Sequence, residues 1–211
     1  GAGEGATAAV PTGTYRQLSA GQDYTCGVRT DGTVACWGRA PTPSMASGAP
    51  ATLVRVVQVA AGAAHACALL DDGTASCWGS NFSGESTAPA GTVAQPMLQL
   101  SAGNGNSCAL TTSATVAFWG NVGGRPAGFA PADAAWLDCG GNDTCVVLRD
   151  GSVRCNGSAG SPAAMVPAML GPVSQLSIGG PTPSGVGSTH ACALLRDDSV
   201  VCWGNVTSPP G

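Results

Sequence analysis

The sequence predicts an all-β fold built from five copies of one unit. Gly 32 and Pro 15 among 211 residues are too many for a mostly helical chain, because both residues break helical runs. Apolar residues make up 44%, which supplies a hydrophobic core and argues against disorder. A short motif ending in Gly also recurs at steps of 41, 41, 37 and 39 residues. Its glycines are Gly21, Gly62, Gly103, Gly140 and Gly179.

Each unit predicts several short strands. An alternating segment that stops at Gly, as in Gln17–Gly21, comes first. Two further alternating segments follow on either side of Thr30-Asp31-Gly32, and Asp-Gly in that position is a strong hairpin signal. A later apolar run, such as Leu53–Val57, predicts a fourth strand. The units span approximately 15–52, 53–95, 96–133, 134–172 and 173–211.

Four short strands every forty or so residues are typical of a propeller blade. The last unit lacks a final strand after Gly204, and residues 1–14 precede the first unit. We therefore expect one domain over residues 1–211, a closed β-propeller of five four-stranded blades. Residues 1–14 would complete the last blade by strand exchange, which removes exposed sheet edges. An arc of a larger ring is the alternative.

The cysteine spacing predicts a disulfide across each hairpin. With a three-residue turn, Arg29 pairs with Thr33, and Cys26 then faces Cys36 at a non-hydrogen-bonded position where Cβ atoms approach closely. Zinc sites prefer closer pairs with four converging ligands, so we favour disulfides. The same spacing predicts Cys67–Cys77, Cys145–Cys155 and Cys192–Cys202.

The third unit departs from this pattern because Phe118 occupies its second cysteine position. A tenth cysteine, Cys139, lies in the next unit, so we infer a Cys108–Cys139 disulfide between neighbouring blades. Five disulfides with no cysteine left over indicate an oxidising, extracellular or cell-surface location.

The charge pattern excludes several function classes. The net charge is −4, and the eight basic residues are all Arg and scattered singly. Nucleic-acid binding and a polybasic membrane patch both need clustered positive charge. No stretch of about 20 residues is apolar enough for a membrane span. The chain begins at Gly1 without an initiator Met, so we expect a mature or processed segment.

The stretch Val59–Gly79, VAAGAAHACALLDDGTASCWG, resembles the regulator of chromosome condensation repeat family, whose pattern is AGxxHxxALxxDGxVxxWG. This resemblance implies a propeller. The paired cysteines are similar to those of crinkly-type plant receptor kinase ectodomains and of secreted microbial relatives. The family includes exchange factors, receptors and inhibitors, so the resemblance specifies fold more than function.

Two histidines, His65 and His190, occupy one repeat position, where the other units carry Tyr24, Asn106 and Asp143. We expect a packing and hydrogen-bonding role there.

The acidic pairs Asp71–Asp72 and Asp197–Asp198 could serve calcium binding or acid–base chemistry, but they lie in predicted turns, where Asp is favoured for turn geometry. No catalytic triad, phosphate loop or metal-ligand cluster is visible in the sequence, so we expect no enzyme activity, cofactor or metal.

Modification motifs are frequent. Four Asn-x-Ser/Thr sequons make Asn81, Asn142, Asn156 and Asn205 candidates for N-glycosylation. Asn156 replaces the Trp of the Cys-Trp-Gly motif, and a glycan there would explain the missing apolar residue. The Pro-rich segments are interpreted as stiff connectors or as sites of hydroxyproline and O-glycosylation. The prolines concerned are Pro41, Pro43, Pro181, Pro183, Pro209 and Pro210.

Two functions are compatible with these features. The first is a non-enzymatic extracellular glycoprotein, a rigid module of a cell wall, surface coat or fibre that assembles with itself or with other proteins. The second is a ligand-binding receptor ectodomain or protein inhibitor that uses loops on one propeller face. The insertion Gly180–Ser188 is the candidate binding loop, with Trp136 and Phe82 as candidate loop aromatics.

Overall fold

A computed structural model describes residues 10–39, 48–89, 95–121, 131–141, 143–157, 161, 164–179 and 189–205. These residues form five antiparallel sheets of three strands, and each strand pairs with the next one along the chain. The all-β, five-unit organisation predicted from the sequence is confirmed. We call the sheets blades 1 to 5 and their strands inner, middle and outer.

The inner, middle and outer strands of the five blades in turn are β1 (Tyr15–Ala20), β2 (Tyr24–Arg29), β3 (Val34–Gly38), β4 (Val56–Ala61), β5 (His65–Leu70), β6 (Ala75–Gly79), β7 (Met97–Ala102), β8 (Asn106–Thr111), β9 (Val116–Gly120), β10 (Ala134–Gly140), β11 (Asp143–Leu148), β12 (Val153–Asn156), β13 (Val173–Gly179), β14 (His190–Leu195) and β15 (Val200–Gly204).

The described residues give each blade three strands instead of the predicted four. The apolar run Leu53–Val57 is not a separate strand, because Val56 and Val57 already belong to the inner strand of blade 2. Leu53 lies before that strand and is buried. The predicted strand exchange falls mainly on residues 1–9 and 206–211, which lie outside the described ranges, so it stays a prediction.

The hairpin between middle and outer strands has the predicted register. In blade 1 the Arg29 N–H donates to the Thr33 carbonyl at 2.8 Å, and Gly32 adopts a φ of +83° that favours Gly. Asp31 accepts hydrogen bonds from the Thr33 backbone N–H and hydroxyl. An Asp shapes this turn in the same way in four of the five blades, as expected for Asp72 and Asp197.

Neighbouring blades pack through an interface that we call a seam. It joins the middle strand of one blade to the inner strand of the next. Four buried apolar clusters fill the four seams from blade 1 to blade 5. Each includes the central Leu or Val of the following inner strand, which is 0 to 3% exposed. Burying such a side chain stabilises the fold by about 1.5–3 kcal/mol. These residues are Val59, Leu100, Leu137 and Leu176.

The strand order gives the blades two distinct ends. The hairpin face is the end that holds the turns between middle and outer strands and the residues just before each inner strand. These turns are residues 30–33, 71–74, 112–115, 149–152 and 196–199. The loop face is the opposite end, which holds the turns between inner and middle strands and the residues after each outer strand. The described residues that follow the outer strands are 39, 80–89, 121, 157 and 205. All strands are antiparallel to their neighbours, so each kind of turn stays at one end.

Candidate functional site

A central cavity of about 820 Å³ lies between the inner strands of all five blades. Its wall is mixed in polarity, and each inner strand contributes a Gln or Trp and a small or acidic residue to it. These side chains are candidates for ligand contacts, so their existing partners decide what the cavity can bind.

The glutamines of the wall already hold the neighbouring blade. Gln17 accepts a hydrogen bond from the Val59 N–H and donates one to the Val59 carbonyl, each at 2.9 Å. Gln58 makes the same pair of bonds with Leu100, and Gln99 makes it with Leu137. Blade 4 has Trp136 instead, whose indole N–H donates to the Leu176 carbonyl at 3.0 Å. We call each two-bond contact a Gln clamp.

A second side chain in the wall reinforces the seams. The hydroxyl of Ser19 accepts from the Ala61 N–H at 2.9 Å, and that of Ser101 accepts from the Cys139 N–H at 3.0 Å. In blade 4 the equivalent residue is Asp138, which accepts from the Ile178 N–H at 2.7 Å and from the Ser101 hydroxyl at 2.5 Å. Burial raises the pKa of Asp138 although these bonds favour its ionised form. The carboxylate joins three blades and is committed to structure.

His65 has the packing role expected from the sequence. It is fully buried, and its Nε2 lies 2.8 Å from the Ser107 hydroxyl. The Ser107 hydroxyl donates its own proton to the Glu85 carbonyl. Nε2 of His65 is therefore protonated and donates to the Ser107 oxygen. Burial lowers the pKa of His65 to about 4, against the opposing effect of Glu85. A neutral, enclosed imidazole cannot reach a substrate.

The same repeat position is polar and inward-facing in the other blades. The Tyr24 hydroxyl donates to the His65 carbonyl across the seam, and burial raises the pKa of Tyr24. Asp143 accepts from the Ser161 hydroxyl, and Asn106 is buried beside Gly103. A Cβ on Gly103 would lie 2.2 Å from the Asn106 Oδ1, which explains why this repeat position requires Gly. These residues stabilise the loop face and form no reactive centre.

The ten cysteines form five disulfides in the pairing that the sequence predicts. Four of them cross a hairpin at a non-hydrogen-bonded pair, and their Cα atoms are 4.0 Å apart, closer than the usual distance of about 4.5 Å for such a pair. The fifth joins Cys108 of blade 3 to Cys139 of blade 4, with Cα atoms 6.5 Å apart. Cys108 lies opposite Phe118, so it has no partner within its own hairpin. The disulfides therefore cross-link four hairpins and one seam.

The hairpin face gathers many of the charged residues. Arg55 forms an exposed ion pair with Asp71 at 2.7 Å, and Arg196 donates to the Arg149 carbonyl at 2.7 Å. Hydrogen bonds from Thr or Ser lower the pKa of four turn aspartates, which therefore stay ionised at neutral pH. Seven acidic and four basic residues share this face: Asp31, Asp71, Asp72, Asp133, Asp150, Asp197, Asp198, Arg29, Arg55, Arg149 and Arg196.

The three sequon asparagines that the structure describes, Asn81, Asn156 and Asn205, belong to the loop face. Asn81 and Asn205 follow outer strands and are exposed, whereas Asn156 ends an outer strand and is half-buried. The Asn81 side chain also donates to the Thr87 hydroxyl and accepts from the Ser86 N–H, each at 2.9 Å. Asn142 and the six candidate prolines lie outside the described residues, as does the insertion at 180–188.

The two candidate loop aromatics, Phe82 and Trp136, differ in their surroundings. Phe82 lies in a loop and is 97% exposed, as expected. Trp136 is not a loop residue but part of the inner strand of blade 4, where its indole is committed to the seam. The Gln clamps are not among the features predicted from the sequence, although a Gln precedes the central Leu or Val in four of five units.

Comparison with family models identifies the repeat. The model of the regulator of chromosome condensation (RCC1) repeat matches residues 15–40, 56–85 and 185–205. Three of the five units of the chain are therefore similar to RCC1 repeats. The three matched segments fall in blades 1, 2 and 5 and include the hairpin disulfide cysteines of each. No curated protein matches the chain in sequence.

Several solved structures share the fold. The ectodomain of the Physcomitrella patens receptor kinase CR4 matches 95% of the chain with a TM-score of 0.72 and 24% identity. The CRINKLY WD40 ectodomain of the Arabidopsis thaliana receptor kinase ACR4 matches 90% with a TM-score of 0.69 and 23% identity. Prp20p from Saccharomyces cerevisiae matches 90% with a TM-score of 0.68 and 15% identity. The chain covers 54%, 65% and 58% of these structures, respectively.

Two further features bear on the chemistry of the chain. Within the described ranges, no group of three or more His, Cys, Asp or Glu side chains is arranged to hold a metal ion. In the same part of the chain, no helix has the length and hydropathy needed to span a membrane.

Proposed function

We propose that this chain is an extracellular RCC1-type propeller module that binds a protein partner through its hairpin face. This proposal rests mainly on the contrast between the two faces. The hairpin face is charged, and none of its described residues belongs to a sequon, whereas the described sequon asparagines Asn81, Asn156 and Asn205 belong to the loop face. Glycans on the loop face would direct a partner to the other side.

The disulfides and the receptor ectodomains among the similar structures support the extracellular location. Prp20p binds Gsp1p and histones, so a protein of this fold is able to serve as a protein-binding surface. No described group in this chain is arranged for catalysis, because the buried His65 and Asp138 are held by structural hydrogen bonds. We therefore propose binding without catalysis.

The charges of the hairpin face define the partner's chemistry. Acidic residues outnumber basic ones, and the turn aspartates remain ionised. A basic protein surface would complement this pattern, and its association rate would fall as salt screens the charges. The role as a structural module of a wall, coat or fibre stays a prediction, as do N-glycosylation and the modification of the prolines.

Binding of the labelled, secreted chain to intact cells that produce it would test this proposal. The hairpin-face variant Asp71→Lys/Asp133→Lys is expected to lose binding, and binding of the unmodified chain is expected to weaken with salt. The matched control is Asp23→Lys, which alters an exposed carboxylate on the loop face. Loss of binding in the control, with binding retained in the hairpin-face variant, would refute the assignment of the face.

A further inference from the structure

The four seams of the structure share two polar links besides their apolar filling, and three of the seams have a third. A Gln or Trp of one inner strand bonds the backbone of the next inner strand. A turn carbonyl on the hairpin face also accepts a hydrogen bond from the first residue of that next strand, at 2.9–3.0 Å. In three seams a Ser hydroxyl or Asp carboxylate adds a bond to a backbone N–H. The seam is therefore a repeated and specific interface.

Blade 5 presents one unfilled half of this interface. Gln175 occupies the clamp position, but it is exposed and forms no side-chain hydrogen bond within the described ranges. Cys192 and Leu194 of its middle strand are only partly buried, whereas their equivalents in the other blades are 0 to 5% exposed. Val200 beside them is 64% exposed. We call this surface the tail, defined by Gln175, Cys192, Leu194 and Val200.

Blade 1 presents the opposite half. Leu18 lies at the position whose equivalents are 0 to 3% exposed, yet it is 58% exposed itself. Trp37 is only half-buried, whereas Trp78, Trp119 and Trp203 are each 7% exposed. Tyr15 packs against Trp37 with ring centroids 5.4 Å apart. We call this surface the head, defined by Tyr15, Leu18 and Trp37.

Head and tail carry complementary groups, because they correspond to the two halves of a seam. The tail offers a free Gln amide and partly exposed apolar side chains, and the head offers a Leu with its strand backbone. Neither surface carries a charged residue among those that define it, so their approach meets no like-charge repulsion. Among the described residues, no hydrogen bond joins blade 5 to blade 1 of the same chain.

We propose that two copies of this chain associate head to tail, so that blade 5 of one copy forms a fifth seam with blade 1 of the other. Gln175 of one copy would clamp the backbone at Leu18 of its neighbour, as Gln17 clamps Val59 within the chain. Such a contact is heterologous, because it uses two different surfaces. The proposal rests on the blade surfaces alone and is independent of the partner proposed for the hairpin face.

Sedimentation velocity on two single-sided variants tests this arrangement. Leu18→Asp blocks the head and Leu194→Asp blocks the tail, and both change side chains that are at least partly exposed. The unmodified chain of 20.5 kDa is expected to increase in mass with concentration. Each variant alone is expected to stay monomeric, and an equimolar mixture is expected to form a dimer through its one intact interface.

Circular dichroism establishes that both variants are folded, and Gln175→Ala provides a milder tail variant that is expected to weaken association. A monomeric unmodified chain at every concentration would overturn the proposal and would indicate that other residues of the chain cover these surfaces. Variants that self-associate as the unmodified chain does would overturn it as well. So would a mixture that stays monomeric.

Discussion

Gln17 holds Val59 by both backbone groups of that residue, although the two lie 42 positions apart in the chain. The amide accepts from the Val59 N–H and donates to its carbonyl, each at 2.9 Å. One side chain thereby fixes the inner strand of blade 2 relative to blade 1. The same relationship returns in the next two seams, so it is a structural rule of the repeat.

Removing one Gln clamp should destabilise the chain measurably. Gln58→Ala loses both bonds to Leu100, and we expect the free energy of unfolding in urea to fall by about 1–3 kcal/mol. Gln175→Ala is the matched control, because Gln175 has no such bonds among the described residues. Equal losses in the two variants, measured on dilute protein, would refute the clamp.

The disulfide between blades should contribute more than a hairpin disulfide. Cys108 and Cys139 are 31 residues apart, whereas Cys67 and Cys77 are 10 apart. From loop-closure entropy, we expect Cys108→Ala/Cys139→Ala to cost about 3.7 kcal/mol and Cys67→Ala/Cys77→Ala about 2.7 kcal/mol. Thermal unfolding of both double variants checks the order, and a reversed order would contradict the role assigned to the bridge between blades.

The buried His65 should make stability depend on pH. Its pKa is lowered from 6.5 to about 4, so the unfolded chain binds a proton that the folded chain excludes between these values. The stabilisation is therefore complete above pH 6.5 and is lost as the pH falls toward 4, by about 3 kcal/mol in total. Urea unfolding across this range measures it.

His65→Asn provides the control for that effect, because blade 3 carries Asn106 at the same repeat position. This variant should flatten the dependence between pH 6.5 and 4 while remaining folded. An unchanged slope would show that another group titrates instead.

The turn aspartates should govern acid unfolding below the range of His65. Hydrogen bonds from Thr or Ser lower their pKa below 3.8, so they stabilise the fold above that pH and cease to do so as the pH falls further. The quadruple Asp→Asn variant should show a flatter pH dependence below pH 4, as monitored by circular dichroism. Thr74→Ala, which removes a donor to Asp72, should act in the same direction. A variant that keeps the full acid dependence would contradict this account. The four aspartates are Asp31, Asp72, Asp150 and Asp197.

Glycan occupancy should follow exposure. Asn81 and Asn205 are exposed, whereas Asn156 ends a strand and is half-buried. We expect secreted protein to carry N-glycans at Asn81 and Asn205 more fully than at Asn156, and peptide mass analysis before and after deglycosylation would measure this. Occupancy at Asn156 alone would contradict the ranking.

Much of the fold could be predicted from the sequence because the repeat is local. The turn Thr30-Asp31-Gly32 specifies the register, and the register places Cys26 opposite Cys36. The odd Cys139 then identified the bridge between blades. These inferences need only alternation and turn geometry within about ten residues.

The relationships between blades could not be derived in this way. The sequence predicts a loop position for Trp136, because it does not show that the Trp136 indole takes the place of the Gln in the other units. The exposed Leu18 looks identical in sequence to the buried Leu100, since both lie in QLSAG. Their packing distinguishes them: Leu100 is covered by the middle strand of blade 2, whereas Leu18 has no such cover among the described residues.

Disulfide mapping of the non-reduced, secreted protein tests the central claim most directly, namely that the cysteines brace four hairpins and one seam. We predict a cross-linked peptide pair containing Cys108 and Cys139, four pairs with cysteines ten residues apart, and no free thiol. Free thiols at these positions, or a different pairing of Cys108, would contradict the account.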